Sequence, residues 1–157
     1  MTDGIAARTA IIGIGNPMMA DDGIGPRLVA ELEGFVPGVA LIDMGTGGMQ
    51  LVHVLAGYES VLIIDSADMD LTPGQFRIFS PEDVVSLKET RAYSLHDWDL
   101  LRSIEISRNL GEAPTRILIF AVQPRSLDMR DGLSHELESR IPSYVEEVWK
   151  ALGLLRG

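Results

Sequence analysis

The chain alternates between short, wholly apolar runs and longer stretches in which apolar residues recur every three or four positions. Short apolar runs are typical of strands buried on both faces of a sheet, and the wider spacing is typical of amphipathic helices. Four runs predict buried strands: "TAIIGIG", which ends at Gly13 or Gly15, "VALID", "SVLIID" and "RILIFAV".

Helical spacing follows most of these strands. The first helix is predicted to begin at Asp22 or Gly23 and to end at Gly34, since glycine commonly ends a helix. Further helices are predicted at 49–55, in a short segment capped by Ser80, and at 98–110 after a loop around "SLHD". A last helix is predicted at 134–155, where Pro142 should kink the helix or divide it in two.

Residues 75–79, "QFRIF", follow a turn and alternate between polar and apolar, which predicts an antiparallel edge strand with one solvated face. Strands that alternate with helices indicate an α/β fold. We therefore predict a three-layer sandwich: a largely parallel, twisted sheet of about five strands with helices on both faces. Residues 1–157 are expected to form a single domain, because this length suits one.

Composition narrows the classes of function. The chain has 13 basic and 23 acidic residues, a formal charge of −10, and an acidic surface repels nucleic acid and anionic membranes. It has no cysteine, which excludes disulfides and thiolate chemistry. It also has no apolar run of membrane-spanning length and no signal peptide at its N-terminus, so we expect a cytoplasmic protein.

Polar residues stand where the predicted strands end. Asp22 follows the first strand, Asp43 ends the second, Asp65 ends the third and Gln123 follows the last. Ligands of open α/β sheets bind at the carboxyl ends of the strands, so these side chains should gather along one edge.

A transition-metal site is one interpretation of this edge. Asp22, Asp65 and His96 offer two carboxylates and an imidazole, a common ligand set for divalent ions. Each residue taken alone has a simpler explanation: Asp22 as a helix cap, Asp65 as a turn cap, and His96 as a loop histidine bonded to backbone. Only their joint placement by the sheet favours the metal site.

Two other interpretations fit less well. A dinucleotide site needs a third glycine, yet Gly13 and Gly15 are followed by Asn16, Pro17 and Met18, and the two carboxylates would repel pyrophosphate. A phosphoacceptor receiver domain needs acids after the first strand and at Asp65, which are present. It also needs a lysine where the chain has Gln123.

The sequence resembles the hydrogenase maturation endopeptidases. The resemblance spans nearly the whole chain and rests on five blocks in matching order: "GIGNPMMADDGIGPRLV", "DMGTGG", "VLIIDSADMDLTPGQFRIF", "SLHDWDL" and "FAVQPRSL". It implies an endopeptidase that removes the C-terminal extension of the nickel–iron hydrogenase large-subunit precursor after nickel insertion. The nickel would then belong to the substrate, and the partner would be that precursor.

The resemblance also implies roles for individual residues. Asp22, Asp65 and His96 match the family's metal-contacting positions, which would also accept zinc or cadmium. Asp43, Gly45, Thr46 and Gly47 match a loop implicated in substrate handling, although Met44 stands where many relatives have glycine.

The role of the two methionines, the route of hydrolysis and the oligomeric state have more than one interpretation. Met18 and Met19 are adaptable apolar contacts for a peptide, or alternatively pack beneath their loop. Hydrolysis could use metal-activated water or a carboxylate as general base. We expect a monomer; a receiver-like signalling module and a non-catalytic assembly chaperone are the rival functions.

Overall fold

A five-stranded sheet with helices on both faces forms the protein. The computed structural model describes residues 8–83 and 95–156, apart from the side chains of residues 95–99 and 156. The strands are β1 (Thr9–Gly13), β2 (Val39–Asp43), β3 (Ser60–Ser66), β4 (Phe76–Phe79) and β5 (Arg116–Val122). The helices are a 3-10 turn (Ala20–Gly23), α1 (Ile24–Glu31), α2 (Gln50–Leu55), α3 (Leu95–Asn109), α4 (His135–Glu138) and α5 (Ile141–Arg156).

The strand order is β2-β1-β3-β5-β4, in which the first four strands are parallel and β4 is antiparallel to β5. Gly13 at the end of β1 lies opposite Asp43 of β2 and Ile64 of β3. The carboxyl ends of these strands therefore meet at one edge. The predicted fold class, including the antiparallel edge strand, is confirmed.

Alternation along β3 divides the core into two layers. Leu62 and Ile64 pack on the side of α1 and α5, whereas Val61 and Ile63 pack on the side of α2 and α3. All four are fully buried, and each contributes roughly 1.5–3 kcal/mol by leaving water. The same alternation turns Asp65 toward the α2–α3 side.

The predicted division of the C-terminal helical segment is confirmed. α4 and α5 are separated at residues 139–140, and Pro142 lies in the first turn of α5. Proline is tolerated there because its missing N–H would have no partner within the helix.

The predicted start of α3 was wrong. A loop was expected around "SLHD" with the helix beginning near Trp98, but α3 already begins at Leu95 and so includes His96. Acidic residues are favoured near the N-terminus of a helix because of its dipole, and Asp97 is the third residue of α3. The prediction had rested on the loop-like composition of "SLHD".

The short helix predicted after Ser80 is described only at residues 81–83, which are helical. Ser80 Oγ accepts the Asp83 N–H at 3.3 Å, and Asp83 Oδ2 accepts the Ser80 N–H at 3.2 Å, which is a reciprocal cap. The remainder of that prediction lies outside the described residues. No helix in the described ranges is long and apolar enough to cross a membrane.

Candidate functional site

Glycines let the loop after β1 pass very close to the start of α1. A Cβ on Gly15, whose φ is 148°, would lie 1.8 Å from the carbonyl oxygen of Asp22. A Cβ on Gly25 would lie 2.5 Å from the Ile14 oxygen and 2.6 Å from the Ile64 oxygen. Without side chains at these positions, the 3-10 turn carries Asp22 directly over the carboxyl end of the sheet.

Asp22 is buried at this edge, with 2% of its surface exposed. Its Oδ2 accepts the backbone N–H of Asn16 at 2.8 Å, and its Oδ1 accepts the hydroxyl of Ser66 at 2.9 Å. The carboxylate is thus held between its own loop and the end of β3.

Asp65 lies beside it near the end of β3 and is 1% exposed. Its Oδ1 accepts the backbone N–H of Ser66 at 2.8 Å. Ser66 therefore donates a hydrogen bond to each of the two carboxylates, and the structure brings Asp22 and Asp65 together as the sheet rule predicted.

His96 is the second residue of α3, but its side chain lies outside the described part of the structure. Among the side chains that are described, no three His, Asp or Glu residues are grouped so that they could hold a metal ion. The described part of the proposed metal site therefore consists of two carboxylates.

Asp21 has a role that sequence reasoning missed. It is fully buried, and its carboxylate accepts three backbone N–H groups, those of Arg125 at 2.8 Å, Ser126 at 3.2 Å and Ser134 at 2.6 Å. These bonds fix the segment between β5 and α4. The pair "DD" predicts two acids at the edge, but it does not predict that they bind different segments.

The loop after β1 also joins this segment through backbone bonds. The Arg130 N–H donates to the Met18 oxygen at 2.9 Å, and the Ala20 N–H donates to the Arg130 oxygen at 2.8 Å. Ala20 has a φ of 50°, in the left-handed region that L-residues other than asparagine and aspartate rarely adopt.

Apolar side chains are exposed where these two segments meet. Met18 is 58% exposed and Met19 is half-buried, while Leu127 and Met129 on the other segment are also exposed. The alternative in which Met18 packs beneath its loop is wrong. Leu127 and Met129 were not predicted, because nothing in the sequence pairs their segment with Met18.

The loop after β2 carries the other predicted substrate residues. The exposed Asp43 accepts the Gly45 N–H on Oδ1 at 2.9 Å, and the Gly45 oxygen accepts the Gly15 N–H at 2.6 Å. Gly45 and Gly47 have φ values of 57° and 78°, and Thr46 between them is exposed. The loop therefore lies against the loop that carries Asp22.

Gln123 reaches the same edge but supports a loop. Its Oε1 accepts the N–H groups of Met69 at 2.6 Å and Leu71 at 3.3 Å, and its Nε2 donates to Asp68 Oδ1 at 3.1 Å. A receiver domain would need a cationic side chain here, whereas this neutral amide is occupied by the loop after β3.

The fold and this edge define an α/β protein whose paired, buried aspartates lie at the carboxyl ends of parallel strands. The family model for hydrogenase maturation proteases (HycI) matches residues 26–151, so the chain belongs to that family. The resemblance seen in the sequence is thereby confirmed, and the family supports an endopeptidase activity.

Individual relatives agree with this assignment. The chain is 32% identical over 149 residues to the hydrogenase 2 maturation protease of Escherichia coli, covering 92% of this chain and 90% of that protein. It is 32% identical to the hydrogenase expression/formation protein HoxM of Cupriavidus necator, covering 92% and 72%. The structure of the hydrogenase maturating endopeptidase HybD from E. coli superimposes with a TM-score of 0.82 at 31% identity, covering 92% and 91%.

Proposed function

We propose that this protease removes the C-terminal extension of a nickel-loaded nickel–iron hydrogenase large-subunit precursor and recognises the precursor's metal through Asp22, Asp65 and His96. One observation carries the proposal: Asp22 and Asp65 are both buried and both accept a hydrogen bond from Ser66. They lie at the edge of the sheet where α/β proteins bind ligands. His96 is the third proposed ligand because α3 begins on the side toward which Asp65 turns.

The two carboxylates fit a divalent cation. Asp22 accepts the Asn16 N–H on Oδ2 and the Ser66 hydroxyl on Oδ1, and these bonds orient a carboxylate, which is a ligand that divalent cations accept. Two buried anions repel each other in a medium of low dielectric, and a cation between them offsets that repulsion. With an imidazole, the set suits nickel from the substrate and would also accept zinc or cadmium.

Peptide handling is assigned to the surfaces on either side of the acids. The loop of Asp43, Gly45, Thr46 and Gly47 exposes main chain that can approach an extended peptide, since glycine permits close contact. Met18 and Met19 supply adaptable apolar contacts.

The acids supply the chemistry in either of two routes. One carboxylate can take a proton from the attacking water as general base, or both can hold a cation that lowers the pKa of a bound water. A precursor without nickel leaves the three polar groups without their ligand, so it should not be cut.

The test incubates purified precursor, with and without nickel, with the protease and measures the mass of the large subunit. We expect shortening only of the nickel-loaded form, and none with Asp22→Asn or His96→Ala. Glu33→Gln and His53→Ala are matched controls, because Glu33 is exposed just after the C-terminal end of α1 and His53 is exposed on α2. Normal cleavage by Asp22→Asn would remove that residue from the mechanism.

Other outcomes of the same experiment identify the rival functions. Stable binding of the precursor without a mass change would indicate a chaperone. Transfer of phosphoryl from a small donor to Asp65 in the presence of magnesium would indicate a receiver module.

We further propose that residues 1–157 act as a single-domain monomer in the cytoplasm. Light scattering tests the oligomeric state, and cell fractionation tests the location.

A further inference from the structure

Ser66 is the residue through which the two acids are connected. It ends β3, is 4% exposed, and donates twice: its N–H to Asp65 Oδ1 at 2.8 Å and its hydroxyl to Asp22 Oδ1 at 2.9 Å. Asp22 comes from the 3-10 turn after β1, and Asp65 comes from β3, so the carboxylates belong to different elements.

We infer that Ser66 is a positioning residue that sets the relative placement of the Asp22 and Asp65 carboxylates for the substrate's metal. The inference rests on the proposed function. It adds a role for a side chain that neither coordinates the metal nor contacts the peptide.

The physical argument begins with rotation of the carboxylate. The χ2 torsion of aspartate is broad, so hydrogen-bond donors must fix the direction of its lone pairs. Two donors orient Asp22: the Asn16 N–H binds Oδ2 and joins it to its own loop, and the Ser66 hydroxyl binds Oδ1 and joins it to β3. Loss of the hydroxyl removes the bond that joins Asp22 to the end of β3.

The second step concerns charge. Both acids are buried, and two neighbouring carboxylates repel each other. The Ser66 hydroxyl donates to Asp22, and the Ser66 N–H donates to Asp65. Together these two bonds stabilise the neighbouring carboxylates before a cation binds. Groups that orient metal ligands in this way commonly change metal affinity 10–100-fold when they are removed.

Ser66 permits a clean separation of its two bonds. Ser66→Ala removes the hydroxyl but keeps the N–H that serves Asp65. Ser66→Thr keeps a hydroxyl and adds a methyl group on a β-branched side chain, which suits a strand. Ser107→Ala is the matched control, since Ser107 is fully buried in α3 and its hydroxyl has no hydrogen-bond partner in the described structure.

The experiment measures three quantities for each full-length variant: the dissociation constant for Zn²⁺ by calorimetry, kcat and KM on nickel-loaded precursor, and the free energy of unfolding in urea. For Ser66→Ala we expect Zn²⁺ binding weaker by roughly 10-fold or more and a similar loss in kcat/KM. Ser66→Thr should recover most of both, and Ser107→Ala should match the wild type.

The outcomes separate this inference from the proposed function. If the wild-type protein fails to shorten nickel-loaded precursor, the proposed function is wrong. If it does shorten the precursor and Ser66→Ala equals it in kcat and KM, the positioning role is wrong, whether or not Zn²⁺ alone binds. Equal losses in the Ala and Thr variants, in proportion to a lower free energy of unfolding, would show a merely structural role and overturn the inference.

Discussion

Asp21 and Asp22 are neighbours in the chain, yet their carboxylates bind different segments. Asp21 accepts three N–H groups from the segment between β5 and α4, while Asp22 accepts a hydroxyl from the end of β3. Both are buried, so exposure does not distinguish them. The difference in their partners separates a structural acid from a candidate functional one.

The same substitution at the two positions should therefore give different results. Asp21→Asn replaces one acceptor oxygen with an NH₂ group that faces backbone N–H donors, and should lower the free energy of unfolding by about 2 kcal/mol. Asp22→Asn should change stability little, because the Ser66 hydroxyl can reverse and accept from the new amide. It should nevertheless abolish cleavage.

Urea unfolding and mass measurement of the precursor test this pair side by side. A stable Asp21 variant together with an unfolded Asp22 variant would reverse the two assignments.

Gly25 should tolerate no side chain. Its Cβ would meet the backbone oxygens of Ile14 and Ile64 at 2.5 and 2.6 Å, and neither oxygen can move without shifting β1 or β3. We expect Gly25→Ala to cost about 3 kcal/mol or more. It should also impair cleavage, because the loop bearing Asp22 would move away from β3.

Gly153→Ala is the matched control within α5, where no atom outside the helix's own neighbouring backbone lies within 4 Å of the added carbon. The expected gain is about 0.5–1 kcal/mol, since alanine favours a helix over glycine. Thermal unfolding of both variants checks the contrast; equal effects would mean that the close approach at Gly25 is not tight.

Tyr144 should make the protein sensitive to high pH. Its hydroxyl is buried and donates to the Gly74 oxygen at 2.5 Å, and burial raises its pKa from 10.0 to about 12. Because the folded state holds the proton more tightly, this contribution to stability is complete below pH 10 and is lost as the pH rises toward 12. The difference corresponds to roughly 2–3 kcal/mol.

The comparison uses Tyr144→Phe, which should be about 1 kcal/mol less stable at neutral pH because the bond to Gly74 is lost. Between pH 10 and 12 the variant should lose less stability than the wild type. Urea unfolding at several alkaline pH values measures both; parallel curves would show that Tyr144 does not titrate in this range.

Asp43→Ala should change substrate binding more than stability. Asp43 is exposed, and its carboxylate accepts the Gly45 N–H, so its loss removes one of the bonds that hold the loop, at a cost of about 0.5 kcal/mol. KM for the precursor should rise while kcat changes little. Asp83→Ala is the control, because this exposed aspartate also accepts a nearby N–H, but beyond β4. A rise in KM with both variants would contradict a specific role for the loop.

Much of the fold could be predicted because burial on both faces demands continuous apolar runs. "VALID" and "RILIFAV" correspond residue for residue to β2 and β5. The start of α3 at Leu95 was not predicted. The composition of "SLHD" is typical of a loop, whereas an acid near a helix N-terminus favours a helix, and the local sequence does not decide between the two.

The sequence by itself determined the order of the strands and helices along the chain, the positions of the acids at the ends of the strands, and the family. Apolar periodicity and residue type are local properties, and they suffice for the elements and for the positions of the acids. The family followed from the resemblance of five sequence blocks. Only the tertiary structure decided that Asp22 and Asp65 share Ser66, that Asp21 turns away, and that Met18 is exposed beside Met129. Those relationships depend on how the 3-10 turn packs against β3 and against the segment after β5. The residues that meet there are more than about 40 positions apart in the chain, so no local sequence pattern predicts their contact.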